Sequence, residues 1–591
     1  MQRWFPVLAW ARRYDTATLG ADALAAVIVT IMLIPQSLAY AMLAGLPPEV
    51  GLYASILPLV AYAIVGSSRT LAVGPVAVVS LMTASAVAPV AAAGLADAMT
   101  AAVVLAALSG LVLILMGVLR LGFLANFLSH SVISGFITAS GLLIAAGQLR
   151  HILGVSGGGD TLPEIASSLA GQWGAINTET LAVGAAVMSF LYVARRWAKA
   201  TLAAIGLPLW LADAIARAAP VAAIAATIVA VTMLDLGDKG VALVGAIPAG
   251  LPVPGFPRVT LDLILALTPA AILISAVGFV ESVSVAQTLA ARRRERIVAD
   301  QELIGLGAAN IAASISSGYP VTGGFARSVV NFDAGARTPA AGVFTAVGIA
   351  LATLYLTPWL ANLPQATLAA TIILAVLSLV DFKTLTRTWR YSRSDFAAMA
   401  TTFVVTLLWG VETGITSGVI LSLVLHLWRT SRPHTAVVGQ VPGTEHYRNV
   451  ERHEVITHPE IVSLRVDEGL WFANARFLED RIAAVVAAQP AVRHVILMCP
   501  AVNAIDTSAL ESLEEINRRL REQGIGFHLS EVKGPVVDRL TRTDFLSHLN
   551  GRVFLSQHEA VSRLLSCRSA PCLTAGADAD RRSRIDSLRF K

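Results

Sequence analysis

The sequence predicts an all-α polytopic membrane protein of about fourteen spans, followed by a small cytoplasmic α/β domain. Charged residues make up 14% of the 591 residues, whereas a soluble protein has about 25%. Before residue 430 the apolar residues gather in blocks of about 20, which is the length of a membrane-spanning helix. After Pro433 short strand-like runs alternate with helix-like stretches, which is typical of an α/β domain.

The candidate spans share a length near 20 residues and few charges, and their limits are good to a few residues. They lie near 21–44, 51–67, 71–90, 98–118, 122–148, 180–198, 218–235, 262–290, 299–317, 319–336, 340–360, 365–380, 394–411 and 413–430. Gly and Pro interrupt the third and the tenth. With seven spans in each half, these two hold matching positions and run in opposite directions.

The distribution of Lys and Arg predicts that both ends of the chain lie in the cytoplasm. The even-numbered connections are basic, for example at Arg69, Arg120, Arg337 and the run Arg292-Arg293-Arg294, whereas the connection at 154–178 has no Lys or Arg. Because cytoplasmic loops carry the excess of basic residues, we expect a multi-pass protein of the inner (plasma) membrane. The net charge of +5 then reflects these loops and not nucleic-acid binding.

The two interrupted spans predict short helices that begin halfway through the membrane, near Gly74-Pro75 and Gly323-Gly324. Pro75 suits the first helical position, where its missing N–H costs nothing, and the glycines permit close backbone approach. A helix start exposes unpaired N–H groups and the positive end of the helix dipole, which together bind anions. The breaks therefore predict an anion site. The structural alternative is that these residues only allow tight helix packing.

The C-terminal region predicts three short buried strands and two helices. The strands are Ile461–Val466, His494–Met498 and Gly526–Ser530, and the helices are 474–488 and Thr507–Glu522. We therefore expect a transmembrane transport domain at 1–432 and a cytoplasmic domain at 433–567. The polar, charged residues 568–591 predict a disordered tail.

Four blocks of the membrane part are distinctive. The first two are Pro35-Gln-Ser-Leu-Ala-Tyr-Ala41 and Gly45-Leu-Pro-Pro-Glu-Val-Gly-Leu-Tyr-Ala-Ser55. The other two are Gly278-Phe-Val-Glu-Ser-Val-Ser284 and Gly324-Phe-Ala-Arg-Ser-Val-Val-Asn331. In these blocks the chain resembles the sulfate permease (SulP) family of anion transporters. Near the C-terminus, Asn503-Ala-Ile-Asp-Thr-Ser-Ala-Leu510 is similar to part of a STAS domain.

This resemblance implies a seven-plus-seven inverted-repeat fold, shared with uracil permeases. It also implies a core domain of about spans 1–4 and 8–11 and a gate domain of about spans 5–7 and 12–14. In the family these two parts are expected to move by an elevator mechanism, and the protein is expected to be a homodimer.

The resemblance also assigns substrate-binding residues. Gln36 and Tyr40 are spaced i, i+4 and share one helix face, where an amide N–H and a phenol O–H can both donate to an anion. The alternative is that they pack between helices. The helix starts add backbone N–H groups, which belong to Val76, Ala77, Phe325 and Ala326. Several relatives have Ser where this chain has Ala326, so one hydroxyl donor is missing.

Arg327 is the basic candidate at the second break. A cation in hydrocarbon costs at least about 3 kcal/mol, so Arg327 must face the protein interior or a water-filled cavity and have a partner. It either raises the local concentration of the anion or pairs with an acidic side chain, and the two roles are compatible.

Glu281 is the only carboxylate in the interior of its predicted span. Because its bare charge would repel an anion, we expect it to be protonated when the anion binds, which couples proton entry to anion entry. Some bicarbonate-transporting relatives bind sodium near an acid at the matching position, so sodium is the other candidate coupling ion. The alternative is a hydrogen-bonded structural carboxyl group.

In the STAS-like region, Ser508 matches the serine that is phosphorylated in bacterial anti-sigma factor antagonists. It follows Asp506-Thr507 at the start of a predicted helix, where a phosphate is physically favourable. The alternative is that Thr507 or Ser508 caps the helix.

Together these features predict a secondary active transporter of a small anion, driven by protons and without cofactor or metal. Sulfate, bicarbonate, a dicarboxylate and chloride or nitrate all suit paired helix starts. The alternatives are an uncoupled anion exchanger or channel of the same fold, or a sensor anchored by its membrane part. We see no nucleotide-binding loop, metal cluster or catalytic triad, so the sequence does not predict an enzyme.

Overall fold

The computed structural model describes residues 5–123, 129–206, 218–245, 250–252 and 259–566, together with residues 208, 212, 215 and 216. The tail predicted at 568–591 lies outside the described residues. The chain forms two compact units, one that ends at Ser422 and one that begins at Leu423.

The first unit is mostly helical and contains two short strands, β1 (Val73–Gly74) and β2 (Thr322–Gly323). Its described helices of six residues or more are α1 (Thr16–Leu43), α2 (Pro48–Tyr53), α3 (Leu57–Val65), α4 (Ala77–Ala92), α5 (Ala98–Val118), α6 (His130–Leu153), α7 (Leu162–Gly171), α8 (Thr178–Val193), α9 (Lys199–Ala204), α10 (Ala219–Leu234), α11 (Leu261–Arg292), α12 (Ala299–Ile315), α13 (Phe325–Asp333), α14 (Ala340–Tyr355), α15 (Gln365–Leu377), α16 (Phe382–Tyr391), α17 (Arg393–Trp409) and α18 (Val411–Ser431). Among the described residues, seven helical stretches are long and apolar enough to cross a membrane, and three shorter apolar helices, α4, α10 and α14, lie among them.

The helices confirm the predicted spans, most of them within a few residues. Three differences have local causes. The second span divides into α2 and α3 at Ala54–Ile56, because the chain turns before Pro58. The helix of the fifth span, α6, begins at His130 and not near 122; residues 124–128 lie outside the described part. Pro75 is not the first helical residue, because α4 begins at Ala77 with Val76 as its N-cap.

Glycines allow two helices of the first unit to touch along their backbones. A Cβ atom added at Gly110 of α5 would lie 2.8 Å from the carbonyl oxygen of Gly307 in α12, and one at Gly307 would lie 2.8 Å from the oxygen of Gly110. Small residues at a helix–helix contact permit this approach in membrane proteins. The pairing of α5 with α12 joins the first half of the chain to the second.

The second unit is an α/β domain with a six-stranded sheet. Its elements are β3 (Thr435–Gln440), β4 (Tyr447–Asn449), β5 (Ile461–Val466), α19 (Phe472–Ala488), β6 (His494–Met498), α20 (Thr507–Glu522), β7 (Gly526–Ser530), α21 (Gly534–Leu540), β8 (Val553–Phe554) and α22 (Gln557–Ser566). The strand order is β4-β3-β5-β6-β7-β8, antiparallel around β3 and parallel from β5 to β8. The three strands and two helices predicted here are therefore confirmed.

Candidate functional site

A two-stranded sheet joins the two interrupted spans. Its strands are β1 (Val73–Gly74) and β2 (Thr322–Gly323), which pair antiparallel with Val73 opposite Gly323 and Gly74 opposite Thr322. Three residues after β1 the helix α4 begins, and two residues after β2 the helix α13 begins. The first N–H groups of a helix have no partner within it, so both sets of donors lie beside the same small sheet.

Two of the predicted helix-break glycines lie against the guanidinium group of Arg327. A Cβ atom at Gly74 would lie 2.9 Å from Nη1, and one at Gly324 would lie 2.9 Å from both Nε and Nη2. Gly74 also has a φ of 156°, which L side chains rarely adopt. Gly323 lies elsewhere, because its added Cβ would meet the side chain of Leu71. The glycines therefore make room for the arginine between the two helix starts.

Arg327 is 2% exposed, and neither Nη atom has a hydrogen-bond partner among the described residues. Its charge interacts with Tyr40, Tyr319 and Glu281. A buried cation whose donors are unpaired is destabilising, so the arrangement favours a bound anion that accepts from those donors. Arg327 and the two helix starts act in the same sense, because all of them stabilise negative charge.

The structure brings Tyr40 and Glu281 to this arginine. Tyr40 is buried in α1, and Gln36 is half-buried one turn before it. Glu281 lines a small cavity together with Val78, which lies in the first turn of α4. Glu281 therefore shares this cavity with the start of the first half-helix, and its charge also interacts with that of Arg327.

The helix-start residues differ in exposure. Ala77 is buried and Val76 is half-buried, whereas Phe325 is 49% exposed and Ala326 is also exposed. Arg327, the next residue, is buried. The open side of the site is therefore the start of α13.

A group of polar residues that sequence reasoning did not assign holds β2 in place. Ser282 Oγ accepts from Gly323 N at 2.9 Å and lies 2.6 Å from Thr322 Oγ1. The amide of Asn310 donates to Val321 O and accepts from Val321 N, both at 2.9 Å. An extended segment between helices has backbone groups that need partners, and this need was the signal for polar residues nearby.

Side chains of α13 hold the strand of the first half. Ser328 Oγ accepts from Ala72 N at 2.9 Å, and Asn331 Nδ2 donates to Thr70 O at 3.1 Å. Gly324 N also donates to Ala72 O at 3.1 Å. The second half-helix therefore fixes the segment that leads to the first.

Glu302 is a further buried carboxylate that the sequence does not distinguish from an ordinary acid in the first turn of a helix. Its oxygens accept from Tyr62 Oη at 2.7 Å, Ser67 Oγ at 2.6 Å, and the backbone N–H groups of Ser67 and Ser68, both at 2.9 Å. These bonds fix the turn before β1. In the described part of the chain, no group of three His, Cys, Asp or Glu residues could hold a metal ion.

Ser508 belongs to the second unit. It is exposed at the second position of α20. The cap of this helix is Asp506, whose carboxylate accepts from Ala509 N at 2.8 Å and from Phe472 N at 2.9 Å. The alternative that Thr507 or Ser508 caps the helix is therefore wrong.

Comparison with known proteins identifies the family. The pattern of the sulfate permease family matches residues 19–402, and that of the STAS domain matches residues 452–560. The chain belongs to the sulfate permease family. This permease is a multi-pass membrane protein and an anion transporter with a C-terminal STAS domain, and it is not an enzyme.

Two relatives align over nearly the whole permease. It is 36% identical to sulfate transporter 4.1, chloroplastic, of Arabidopsis thaliana, over 94% of this chain and 82% of that protein. It is 33% identical to a probable sulfate transporter of Mycobacterium tuberculosis, over 94% of this chain and 97% of that protein.

Two solved structures share the fold. The structure of SLC26A9 covers 96% of this chain, and the alignment covers 93% of that chain, with a TM-score of 0.87 and 21% identity. The transmembrane domain of the cyanobacterial bicarbonate transporter BicA has a TM-score of 0.58 and 20% identity, over 69% of this chain and 98% of that one. The permease therefore has the predicted seven-plus-seven fold.

Proposed function

We propose that this permease takes up a small anion, with sulfate as the first candidate, together with a proton. The observation that carries the proposal is the buried guanidinium of Arg327, which lies against Gly74 and Gly324 and whose Nη atoms have no hydrogen-bond partner among the described residues. Sulfate is preferred because several relatives are named sulfate transporters. Bicarbonate and a dicarboxylate remain the next candidates.

The anion would occupy the space between the starts of α4 and α13. The N–H groups of Val76 and Ala77 would donate from one side, and those of Phe325 and Ala326 from the other. Arg327 would supply the charge, and Tyr40 a phenol O–H. Gln36 would complete the set from the same face of α1.

Glu281 would couple the anion to the proton. Its negative charge interacts with Arg327, so the ionised carboxylate competes with the anion for the guanidinium. Protonation removes this competition and leaves the positive charge available to the substrate. Anion and proton then enter the site together, and loss of either one disfavours binding of the other. Sodium is the alternative coupling ion.

The movement would be of the elevator type. In the first unit, α5 packs along α11 and α12, whereas α6 packs along α15 and α17. This division supports a core domain of spans 1–4 and 8–11 that carries the site and moves against a gate domain of spans 5–7 and 12–14. We also propose a homodimer in the inner membrane with both ends in the cytoplasm. Ser508 stays a candidate regulatory phosphorylation site.

Uptake of labelled sulfate into proteoliposomes tests the coupling. We expect an inwardly directed proton gradient to accelerate wild-type uptake roughly tenfold. In Glu281→Gln, uptake should no longer depend on the gradient. Glu412→Gln is the matched control, because Glu412 is a half-buried carboxylate of the first unit in α18, and it should behave like the wild type.

Each outcome distinguishes the candidates. If wild-type uptake does not depend on the proton gradient but is accelerated by anions inside the proteoliposomes, the protein is an uncoupled exchanger. If uptake by Glu281→Gln depends on the proton gradient as much as uptake by the wild type, Glu281 does not couple the proton to the anion. A panel of competing anions, measured across pH, would rank sulfate against bicarbonate and dicarboxylates.

A further inference from the structure

The connection between α15 and α17 contains a helix, α16 (Phe382–Tyr391), that buries none of its side chains. All ten residues of this helix are described, and each of them is at least partly exposed. The carboxylate of Asp381 caps the helix by accepting from the N–H groups of Lys383 and Thr384, at 2.9 Å and 3.2 Å. Because most helices of proteins are stabilised by packing of an apolar face, a helix without a buried face needs another environment.

The apolar residues of α16 share one face. Phe382, Leu385 and Trp389 are spaced i, i+3, i+7, which places them on one side of the helix. The ring of Phe382 contacts Phe403 of α17 with 6.4 Å between centroids, and the ring of Trp389 contacts Phe396 at 4.7 Å. Phe382 and Trp389 nevertheless remain 54% and 52% exposed. The protein therefore covers only part of this face and leaves the rest to an apolar environment outside.

The neighbours of α16 place it at the edge of the bilayer. It joins α15 and α17, which belong to two of the predicted spans. Helix α17 begins at Arg393, and toward its other end Val404, Leu408 and Trp409 are exposed. Exposed apolar side chains of a span face lipid, so α17 enters the membrane directly after α16. A helix between the ends of two spans lies at the level of the lipid headgroups.

The basic residues of α16 form a second stripe beside the apolar face. Lys383, Arg387 and Arg390 are spaced i, i+4, i+7, and all three are exposed. Arg393 follows, with its guanidinium carbon 5.7 Å from the ring centroid of Trp389. An apolar face with aromatic side chains next to a basic stripe is typical of helices that lie in the membrane interface.

The positive charge of this segment is not balanced within the protein. Its two acidic residues are Asp381, which caps α16 and interacts with Lys383, and Asp395 in the first turn of α17. In the described part of the chain, the four basic side chains of residues 383–393 form no ion pair within 4 Å. Unpaired basic side chains at a membrane surface attract anionic lipids.

A second group of aromatic and basic residues lies at the same end of α15. Arg195 Nη1 donates to Leu374 O, in the last turn of α15, at 3.1 Å. Near Arg195, the exposed rings of Tyr192 and Trp197 meet edge to face with 6.3 Å between centroids. Tyr and Trp concentrate at membrane–water interfaces. Two separate segments therefore present interfacial chemistry at this end of α15.

We propose that α16 lies in the headgroup layer of the bilayer and binds anionic phospholipid there. The half-covered rings of Phe382 and Trp389 reach the acyl boundary, and Lys383, Arg387 and Arg390 bind the lipid phosphates. This site contains no residue of the anion site, and it depends neither on which anion is transported nor on coupling to a proton. In the proposed orientation it belongs to the cytoplasmic leaflet.

Photolabelling of the full-length protein in phosphatidylcholine nanodiscs tests the proposal. The probe is phosphatidylglycerol with a diazirine near the start of one acyl chain, and its neutral counterpart is phosphatidylcholine with the same diazirine. Peptide mass spectrometry should show that the anionic probe labels residues 382–393 roughly tenfold more strongly than the neutral probe. Unlabelled phosphatidylglycerol should displace these labels, and added salt should weaken them.

Variants of the basic stripe isolate the charge. Combined Lys383→Gln, Arg387→Gln and Arg390→Gln should lower labelling by the anionic probe to that by the neutral probe. Arg387→Lys combined with Arg390→Lys keeps the charge and should keep the preference. If the triple variant fails to fold, as shown by size-exclusion chromatography, Arg387→Gln alone decides, and it should lower the ratio of the two labels roughly twofold.

The matched control removes as many charges from another surface. Arg448, Arg452 and Arg542 are exposed basic residues of the STAS domain, and their combined replacement by Gln should leave the preference unchanged. Equal labelling of residues 382–393 by both probes would overturn the proposal, because the helix would then contact lipid without selecting charge. So would a preference that survives in the triple variant. Absence of label from either probe would mean that protein, and not lipid, covers α16.

Discussion

The two interrupted spans occupy matching positions in the chain but differ in chemistry. The first half-helix, α4, has 16 residues, and the hydroxyls of Ser80, Thr83 and Ser85 are its only side-chain polar groups. The second, α13, has 9 residues and carries Arg327, Ser328 and Asn331, all buried. The inverted repeat therefore supplies the same backbone geometry twice, whereas the charge occurs once.

The difference extends to how the segments are held. Hydrogen bonds to Ser282 and Asn310 fix β2 from within the second half of the chain. The segment before β1 is held partly by Ser328 and Asn331, which also belong to the second half. The first half therefore contributes mainly backbone donors to the site. The second half contributes the charge and many of the side chains that hold both strands in place. Loss of a polar side chain in the second half should therefore be more damaging than loss of one in the first half.

The largest expected effect is that of Arg327→Ala. If Arg327 binds the anion as proposed, loss of its buried charge should lower kcat/KM for sulfate uptake roughly a hundredfold, about 3 kcal/mol. The kcat/KM of Arg327→Lys should lie between those of the wild type and Arg327→Ala, because lysine keeps the charge but not the planar array of donors. Uptake is measured in proteoliposomes, with size-exclusion chromatography to show folding. If Arg327→Ala folds and takes up sulfate as fast as the wild type, Arg327 does not belong to the anion site.

The next effect compares the two glycines at the guanidinium. Gly324→Ala should raise KM roughly tenfold, because the new methyl displaces the arginine, and overpacking costs about 1–3 kcal/mol. Gly74→Ala should be worse, since its φ of 156° adds backbone strain. Gly171→Ala is the control, because no atom of the described residues lies within 4 Å of its added Cβ. A KM for Gly324→Ala equal to that of the control would show that the arginine need not stay there.

The smallest effect compares two fully buried serines. Ser282→Ala leaves Gly323 N unpaired, which should cost about 1–3 kcal/mol and lower the midpoint of thermal unfolding. Ser37→Ala should change the midpoint less, because its partner Ser55 also donates to Gly51 O. Equal midpoints for the two variants would mean that the second segment is not held as we describe.

Much of the fold could be predicted because the signals are local. Apolar blocks set the spans, and three strands of the STAS domain appeared at their observed limits. Gly and Pro predicted where the two spans are broken, but not the residue at which each half-helix begins. Pro75, the expected first helical residue, lies before the N-cap Val76. The pairing of Val73 with Gly323 joins residues 250 positions apart, and no local pattern encodes it.

The same limit applied to the site. Arg327 and Glu281 stood out because a charge in an apolar span needs a reason. Ser282, Asn310 and Glu302 did not stand out in the sequence. A polar residue in a helix shows a role only when the structure reveals which backbone groups it pairs with.

By itself, the sequence determined that most of the chain belongs in a membrane, that two spans are broken, and that Arg327 and Glu281 lie within apolar spans. Composition and spacing carry that information, because burial of a charge is costly wherever the chain folds. Only the tertiary structure decided that Gly74 and Gly324 flank the guanidinium of Arg327 and that the second half-helix holds the segment before the first. Those facts depend on contacts between distant residues, which arise only when the elements pack.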